Sequence, residues 1–443
     1  MTLMDQRFLI PLDPPYRAIA LEEYRRRGGY EAATDLLKKQ KYSPAEVKQM
    51  VLDSGLRGLG GAGFPTGRKW QSLAEDAPHP RYLIANTDEM EAGTFKDRIL
   101  ITVNPHAVIE GMIIAAYAVS ARKGFLFIRS SYEGAAEIFH QALKEAREAG
   151  LLGKNILGSQ HFFEIVPHRS AGRYICGEAK GLVHALMGMR PHPNLEGHLT
   201  SGGLWGAPTI VNNAETLASV PPIIRHGPAW FKSLARSEGG AGMKIYCVSG
   251  RIKKPGAYEL PMGTPLREII EEHGGGMKDG YRFKTCMPGG ASTRFVPPGY
   301  LDVEMDFAAL PEQIGPGHRH GTGSIMVFDH TTCLVGAALN LMIYFARESC
   351  GWCTPCREGL PYIRELLRRI EEGEGKEEYL PILRRMSEQM DHAYCEFAPG
   401  AVAPVLGLLD GFMEEVRAHI VKKRCPFKNG GLPGDDGILW PKR

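Results

Sequence analysis

Three cysteines in one short run, followed by a fourth about forty residues later, constrain this chain more than any other feature of its sequence. Cys350, Cys353 and Cys356 have C-x₂-C-x₂-C spacing, and Cys395 is the remote member. Two residues between successive cysteines let the thiolates turn toward one small metal core, and four-cysteine ligation of this kind is typical of a [4Fe–4S] cluster. A structural zinc site is the alternative, although zinc sites more often pair two C-x₂-C units. We therefore predict that these four residues hold an iron–sulfur cluster.

The residues after the cysteine run favour a helix. Apolar side chains recur there at helical spacing, at Leu360, Ile363, Leu366, Leu367 and Ile370. The run would then lie near a helix N-terminus, where free backbone N–H groups and the helix dipole favour an anionic cluster.

Composition excludes several classes of function. The 443 residues carry a formal charge of +3, which is too nearly balanced for a nucleic-acid-binding surface. The first residues contain no apolar signal-peptide core, and the most apolar stretches, 107–119 and 334–346, are too short to span a bilayer. Nine cysteines, four of them in one group, suit a reducing compartment with a metal centre. The other five are predicted to be small buried apolar residues: Cys176, Cys247, Cys286, Cys333 and Cys425.

A glycine-rich segment, 57–70, predicts a ligand-binding loop. Gly58, Gly60 and Gly63 satisfy G-x-G-x-x-G, but a helical segment precedes them, whereas the dinucleotide fingerprint requires a strand. We therefore reject an ordinary Rossmann loop. So many glycines still let backbone N–H groups approach a phosphate or a flat ring, and Lys69 adds a positive charge.

The middle of the chain alternates between strands and helices. The predicted strands are 81–86, 124–129 and 162–167, and the predicted helices between them are 105–120 and 132–149. This order predicts an α/β layer with a parallel sheet, whose ligands lie beyond the carboxyl ends of the strands. Asn86 and Asp88 follow the first strand and are candidates to bond the polar edge of a heterocycle.

Outside the alternating region, the sequence predicts a helical start, a small central module and a helical C-terminal part. Helices are expected at 21–40 and 43–54, the second with Ser43 as N-cap and proline at its first position.

Residues 244–330 are predicted to form a small α/β module with short strands at 244–249 and 256–259 and a helix at 264–273. The chain is expected to be helical from Asp329 and to end in an extended arm after Lys422.

Five segments, taken together and in this order, resemble one known family. They are Leu56–Trp70, Asn86–Arg98, Tyr174–Glu178, Gly203–Leu217 and Glu348–Gly359. Over residues 20–420 the chain is similar to the flavin-bearing, NADH-oxidising F subunits of bacterial respiratory complex I (NADH:quinone oxidoreductase). The resemblance implies an α/β fold with a Rossmann-like FMN domain, a small β-grasp (soluble-ligand-binding) domain and a C-terminal helical bundle carrying a [4Fe–4S] cluster. The expected divisions are 1–57, 58–240, 241–330, 331–422 and a tail at 423–443.

The resemblance also implies roles for individual residues. The expected cofactor-binding residues of the glycine loop, which faces both FMN and NADH, are Gly58, Gly60, Gly61, Ala62, Gly63, Phe64, Thr66, Gly67 and Lys69, with Phe64 stacking on the adenine of NADH. The remaining expected FMN contacts are Asn86, Asp88, Tyr174, Gly177, Glu178, Asn212, Asn213 and Thr216. Glu91 is expected to meet the nicotinamide nucleotide, and Glu91 and Glu178 are the candidate catalytic residues. The four cysteines are the expected metal ligands.

The activity implied is NADH:quinone oxidoreductase. NADH would reduce FMN, and electrons would pass singly through the [4Fe–4S] cluster to quinone by way of partner subunits. The expected partners are a [2Fe–2S] subunit and a large iron–sulfur subunit of the peripheral arm, with no nucleic acid. The expected location is cytoplasmic, on the inner face of the cell membrane, through these partners alone.

Several positions depart from the family pattern, and they cluster on the side expected to face NADH. A second glutamate and a threonine of the family are here Ala179 and Lys180, and a lysine expected to meet the nucleotide is Glu196. Reversing that charge would weaken binding by about 1–3 kcal/mol. One hypothesis is a working NADH dehydrogenase subunit with a variant pocket. The others are an FMN and iron–sulfur relay or assembly subunit that receives electrons from another donor, and a zinc-stabilised scaffold.

Overall fold

A computed structural model describes residues 7–193, 197–297 and 299–427. The chain begins with three short helices, α1 (Leu21–Arg26), α2 (Glu31–Leu37) and α3 (Pro44–Asp53). The predicted helix 21–40 is wrong as a single element. Gly28 and Tyr30 both have positive φ, +87° and +63°, and a left-handed backbone cannot continue an α-helix. The start of α3 is as predicted, because the Ser43 hydroxyl accepts a hydrogen bond from the N–H of Glu46 in a capping box.

The first sheet is parallel throughout, as predicted. Its strand order is β3–β2–β1–β4. The strands are β1 (Tyr82–Thr87), β2 (Lys123–Arg129), β3 (Glu164–Ser170) and β4 (Thr209–Asn213). The fourth strand was not predicted, because its last two residues, Asn212 and Asn213, have the sequence of a helix cap. The third strand begins and ends later than predicted.

Helices cover both faces of this sheet. They are α4 (Thr66–Gln71), α5 (Lys96–Val103), α6 (Pro105–Val119), α7 (Glu133–Glu148), α8 (Ala179–Leu186), α9 (Leu199–Gly202), α10 (Ala214–Ala218), α11 (Val220–His226) and α12 (Pro228–Ser233). The helix α6 is apolar on almost every side and is buried in the core, where Gly111 lets it approach the carbonyl of Leu217. Among the described residues no single helix has the length and apolarity needed to cross a membrane; only α5 and α6 together pass that test, and they meet at 95°.

A second four-stranded sheet follows, with the order β6–β5–β8–β7. Its strands are β5 (Met243–Gly250), β6 (Gly256–Pro261), β7 (Phe283–Met287) and β8 (Ser324–Asp329). The helical segments here are α13 (Leu266–Glu268), which continues as a π-helix over Ile269–His273, and α14 (Ala309–Gln313). Only β5 and β6 were predicted as strands, since the other two lie in segments rich in glycine and proline.

The chain is mainly helical from residue 334 onward, five residues later than predicted, because Asp329 is still the last residue of β8. The helices are α15 (Leu334–Glu348), α16 (Thr354–Glu371), α17 (Tyr379–Glu388), α18 (Phe397–Gly411) and α19 (Met413–Lys422). The first two are consecutive, and the cysteine run lies between them. Leu360, Ile363 and Leu367 are fully buried in the core that these helices share. The extended arm predicted after Lys422 lies almost wholly outside the described range, at 428–443; the described residues 423–427 form turns, and Cys425 is buried.

Candidate functional site

The carboxyl edge of the first sheet brings together polar residues from three strands. Asn86 on β1 is the register partner of Asn213 on β4. The Asn213 amide donates to the Asn86 carbonyl at 3.3 Å and to Asp97 at 2.7 Å, and its oxygen accepts from the N–H of Glu215 as the cap of α10. Asn213 is therefore held in a fixed orientation beside the end of the central strand.

Asp88, just past β1, has one carboxylate oxygen with a partner and one without. Oδ1 accepts a hydrogen bond from Ser170 Oγ at 2.7 Å, and the Asp88 N–H donates to the Asn86 side chain at 2.9 Å. Oδ2 is buried and has no hydrogen-bond partner in the described protein. Burial raises the pKa of Asp88 to about 6. A buried, unpartnered acceptor at the ligand edge of a parallel sheet is what a bound donor such as a flavin ring N–H would satisfy.

The glycine loop lies against this edge. Its ends are tied by hydrogen bonds from the Gly58 N–H to the Phe64 carbonyl at 2.8 Å and from the Thr66 N–H to the Leu56 carbonyl at 2.9 Å. The Leu59 N–H donates to Thr216 Oγ1 at 2.9 Å, which fixes the loop to the start of α10. The tip is exposed at Gly60, Ala62 and Phe64.

Two glycines of the loop permit close contacts. A Cβ on Gly60 would lie 3.1 Å from the Cβ of Asn213, so the loop backbone passes directly over the sheet edge. Gly63 has φ +66°, and a Cβ there would come within 2.5 Å of the Phe307 ring. The loop therefore lies between the first sheet and the region of the second.

The helix α4 follows the loop and contains Thr66, Gly67 and Lys69. Thr66 Oγ1 is buried without a partner in the described protein. Gly67 packs on Leu52, where a Cβ would come within 2.4 Å of its Cα. Lys69 Nζ donates to the Val211 carbonyl at 3.0 Å, and burial lowers the pKa of Lys69. The structure thus gives Gly67 and Lys69 contacts within the protein.

Asn212 is also held inside the protein. Its side-chain oxygen accepts from Trp70 Nε1 at 2.9 Å, and the residue is buried. Asn212 joins β4 to α4 and so aligns the glycine loop with the sheet.

Tyr174, Gly177 and Glu178 lie in a tight turn before α8. The Tyr174 hydroxyl donates to Glu91, and the Tyr174 N–H donates to Glu348 at 3.1 Å. Glu178 is the N-cap of α8 and accepts from the Gly181 N–H at 2.8 Å, while burial raises the pKa of Glu178. Ala179 and Lys180 begin the helix, and Glu196 lies outside the described residues.

Glu91 lies where three parts of the chain meet. One carboxylate oxygen accepts from Tyr174, and the other accepts from the Ser292 N–H at 2.6 Å. Burial raises the pKa of Glu91 despite both hydrogen bonds. Both oxygens are therefore in use before any nucleotide arrives.

The four cysteines meet at the start of α16. Cys353 is the N-cap residue of this helix, and its sulfur accepts from the Tyr394 N–H at 3.3 Å, which brings the segment of Cys395 alongside. Ser349 Oγ lies 3.1 Å from Cys356 Sγ. Burial raises the pKa of Cys356 and of Cys395 to about 11, and each also interacts electrostatically with Cys350. Cysteines gathered near a helix N-terminus suit an anionic cluster, whose iron would displace the thiol protons.

These four sulfurs do not form a tight single-ion group in the described part of the chain. Among the described residues, a group with three or more ligand atoms within 4.8 Å of one another occurs elsewhere in the helical region, not at these cysteines. A single zinc ion requires such tight spacing, whereas a cubane cluster holds its thiolates farther apart. The geometry favours the iron–sulfur prediction over its zinc alternative.

Direct contacts join the cysteine loop to the sheet region. Arg190 donates to the Cys350 carbonyl at 2.8 Å, and the His192 ring stacks on Trp352 at 4.9 Å. Glu348, two residues before Cys350, accepts from the Tyr174 N–H. The two candidate cofactor sites are therefore neighbours connected by protein contacts.

A buried ion network beneath the sheet edge was not predicted. Glu215 contacts Lys244 at 2.7 Å and Lys96 at 3.0 Å, and Lys96 contacts Asp97 at 2.7 Å. Although burial alone would raise the pKa of Glu215, the two ammonium groups hold it below its usual value. The residues are far apart in sequence, so no local pattern reveals the network. Ser170, by contrast, could have been predicted, because it lies at the carboxyl end of β3, just as Asp88 follows the carboxyl end of β1.

Three family profiles match this chain. Residues 51–222 match the Nuo51 FMN-binding domain, residues 245–296 the SLBB domain and residues 336–419 the NADH-ubiquinone oxidoreductase-F iron–sulfur binding region. The NADH-quinone oxidoreductase F subunit of Salmonella typhimurium is 45% identical over 416 residues, covering 93% of this chain and 92% of that protein. The F 2 subunit of Rhizobium meliloti is 44% identical, covering 92% and 96%. This chain belongs to the family of NADH-quinone oxidoreductase F subunits.

Solved structures agree with this assignment. The chain of an NAD⁺-reducing [NiFe]-hydrogenase in its air-oxidised state superposes with a TM-score of 0.78 at 33% identity, covering 91% of the present chain and 67% of the hydrogenase chain. The fold implied by the family resemblance is confirmed: an FMN-binding α/β region with a parallel sheet, an SLBB region and a C-terminal helical iron–sulfur region.

Proposed function

We propose that this chain is the electron-input subunit of an NADH-quinone oxidoreductase. When bound, FMN accepts a hydride from NADH, and a [4Fe–4S] cluster carries its electrons onward one at a time. The protein supplies the binding, the orientation and the exclusion of water. The observation that carries the proposal is the contact between the sheet edge and the cysteine loop, made by Tyr174 with Glu348 and by Arg190 with Cys350.

We assign the flavin to the space between the glycine loop and the carboxyl edge of the first sheet. Asp88 Oδ2 at this edge and Thr66 Oγ1 in the helix after the loop are buried polar atoms that have no partner in the described protein. The backbone at Gly58, Gly60, Gly61, Ala62 and Gly63 supplies the wall of this space, with Asn86 and Asn213 across from it. Thr216, Asn212, Gly67 and Lys69 act as positioning residues, because their side chains or backbone hold the loop to the sheet.

The NADH side rests on fewer contacts. Phe64 is 53% exposed at the loop tip, which leaves its ring free to stack on the adenine. Glu178 and Gly177 lie beside the flavin space. Glu91 acts through Tyr174 and Ser292, so we assign it the task of closing the site against water and fixing Tyr174.

The cluster ligands proposed are Cys350, Cys353, Cys356 and Cys395. The start of α16 and the Tyr394 N–H provide hydrogen-bond donors toward the thiolates, which stabilise negative charge there. The domain boundaries that we propose lie at residues 57, 240, 330 and 422.

Membership of this family implies a multi-subunit complex with other subunits of the peripheral arm. We propose that the direct partners of this chain are a [2Fe–2S] subunit and a large iron–sulfur subunit. The chain would lie on the cytoplasmic side of the cell membrane, attached through those partners.

The relay hypothesis is the less favoured one. This chain departs from the family pattern at Ala179, Lys180 and Glu196. It is nevertheless 45% and 44% identical, over nearly their whole length, to relatives that are named as parts of an NADH-quinone oxidoreductase.

An anaerobic titration of the reconstituted chain with NADH, and then with NADPH, tests the function. We expect NADH to bleach the flavin absorbance rapidly. A flavin that dithionite reduces but neither nucleotide does would contradict the proposal and support the relay. Glu196→Lys should tighten NADH binding, and an unchanged affinity would remove the charge argument.

A further inference from the structure

A second group of metal-ligand side chains lies in the helical region, away from the cluster cysteines. Its members are Cys333, Glu371, His419 and Cys425, and one ligand atom from each lies within 4.8 Å of all the others. Cys333 Sγ is 3.2 Å from Glu371 Oε2 and 3.2 Å from His419 Nε2. His419 Nε2 is 3.2 Å from Glu371 Oε2. We call this group the base cluster.

Cys333 and Glu371 lie at the two ends of the α15–α16 segment. Cys333 is the N-cap of α15, and its sulfur accepts from the Gly336 N–H at 3.2 Å. Glu371 is the last residue of α16. A Cβ on Gly336 would lie 3.2 Å from Glu371 Oε1, so a side chain larger than glycine would press on the group.

His419 is oriented as a metal-binding histidine is. Its Nδ1 lies 2.8 Å from the Glu415 carbonyl, to which the Nδ1–H can donate. That hydrogen bond leaves Nε2 with a lone pair directed at Cys333 and Glu371. A backbone carbonyl that fixes the tautomer of a ligating histidine is a frequent outer partner in metal sites.

Cys425 is brought back to the group by a tight reversal of the chain. The helix α19 ends at Lys422, and Lys423 has a left-handed backbone with φ +50°. The Lys423 carbonyl passes so close to Gly373 that a Cβ there would lie 2.1 Å away. Cys425 is consequently buried beside the end of α16, as predicted for a small buried residue, but its thiol and that of Cys333 share their site with a carboxylate and an imidazole.

We propose that the base cluster binds a structural zinc ion, distinct from the iron–sulfur centre. Two thiolates, a neutral imidazole and a carboxylate are all zinc ligands, and four of them complete a tetrahedral shell. Zinc–ligand bonds of about 2.0–2.3 Å place neighbouring ligand atoms roughly 3.3–3.8 Å apart, close to the separations in this group. Four protein ligands leave no open position, so the ion would stabilise the fold rather than perform catalysis.

The ion would join three helices at the end of the domain opposite the cluster. The 18 residues of α16 extend over about 27 Å, with Cys356 in the first turn and Glu371 at the end. The base cluster therefore fastens α15, α16, α19 and the chain after α19, while the iron–sulfur cluster would occupy the other end of α16.

The test uses the full chain with its iron–sulfur centre, expressed with ample zinc. We expect about one zinc per chain by elemental analysis. Zinc K-edge X-ray absorption should show two sulfur and two nitrogen or oxygen neighbours, and the edge is specific to zinc, so iron does not interfere.

Cys425→Ser and His419→Ala should remove most of the zinc and leave iron unchanged. Cys353→Ala should do the reverse, and Cys286→Ser, at a buried cysteine outside both groups, should change neither.

Three results would overturn the proposal. One is wild-type protein without zinc. Another is a zinc shell of four sulfurs, which would place the ion at the cluster cysteines. The third is a Cys333–Cys425 disulfide found by peptide mass spectrometry after alkylation under anaerobic conditions. Because the wild-type measurements decide each of these, failure of a variant to fold leaves the proposal testable.

Discussion

At the scale of single residues, Asp88 gives the proposed flavin site a titratable group, because burial raises its pKa to about 6. A carboxyl whose pKa is raised by burial binds a proton more readily in the folded protein than in the unfolded chain, so its protonated form is favoured below about pH 6. The deprotonated form is the stronger acceptor for a flavin N–H, whereas a proton on Oδ2 would place a donor opposite that N–H. Ligand and proton therefore compete for the same carboxylate.

We expect FMN affinity to fall as the pH is lowered through 6, by up to about tenfold per pH unit since one proton is involved. Asp88→Asn should bind FMN more weakly and with little pH dependence. Fluorescence titration of the flavin-free protein with FMN measures the affinity of wild type and variant. A range of about pH 5 to 8 brackets the Asp88 pKa of about 6. An identical pH profile in wild type and variant would remove Asp88 from the flavin site.

Thr66 offers a complementary test, because its hydroxyl is buried without a partner in the described protein. Thr66→Val removes that hydroxyl while keeping the shape of the side chain. The flavin-free protein should be as stable as wild type or more stable, by up to about 1–3 kcal/mol, because a buried unsatisfied group is lost. FMN binding should weaken if the hydroxyl contacts the cofactor. Chemical denaturation and flavin titration separate the two effects, and unchanged FMN affinity would exclude that contact.

At the scale of structural elements, the glycine loop depends on α10 for its position. Thr216→Val would leave the Leu59 N–H without its acceptor in a buried position, at a cost of about 1–3 kcal/mol. We expect lower stability together with weaker FMN binding, because the loop loses its attachment to the sheet edge. The contrast with Thr66→Val is informative, since the two substitutions are chemically the same. Should Thr216→Val lower stability but leave FMN affinity at the wild-type value, the loop would not be positioned by this bond.

Sequence patterns predicted those elements whose signal is local. The alternation of strands and helices indicated the parallel sheet, and the apolar spacing after the C-x₂-C-x₂-C run indicated the helix that follows it. The break between α1 and α2 was missed because it depends on the left-handed backbone at Tyr30, a residue type that rarely adopts it. The fourth strand was missed because Asn212 and Asn213 serve both as strand end and as helix cap.

The candidate site was predictable only in part, for the same reason. Residues such as Asn86, Asp88 and the cysteines stand in recognisable motifs. The partners of Asp88 and Glu91, which are Ser170 and Ser292, come from distant segments and have no motif of their own. The base cluster combines residues as far apart in the sequence as Cys333 and Cys425, and only the fold brings them together.

At the scale of the whole molecule, the buried network of Lys96, Glu215 and Lys244 joins the two sheets. Glu215 follows β4 and also accepts from the Ile245 N–H of β5 at 2.7 Å. Two cations share this carboxylate, and Lys96 is also paired with Asp97. Removing one partner would leave a buried charge poorly compensated.

Lys244→Met should therefore lower the free energy of unfolding by about 3–5 kcal/mol. Lys253→Met is the matched control, because Lys253 pairs with Asp279 at 2.9 Å on the surface of the same region, and it should cost less than about 1 kcal/mol. Equilibrium denaturation of both variants provides the comparison. Equal losses would mean that the network contributes no more than a surface pair.

The same network gives the junction between the sheets an unusual response to heat. The hydration of charged groups becomes less favourable as temperature rises, so the free energy needed to keep these ions out of water decreases on warming. An apolar junction gains no such advantage. The contact between the two sheets should therefore weaken less with temperature than the apolar cores on either side, and on heating the protein should lose structure within those cores before the sheets separate.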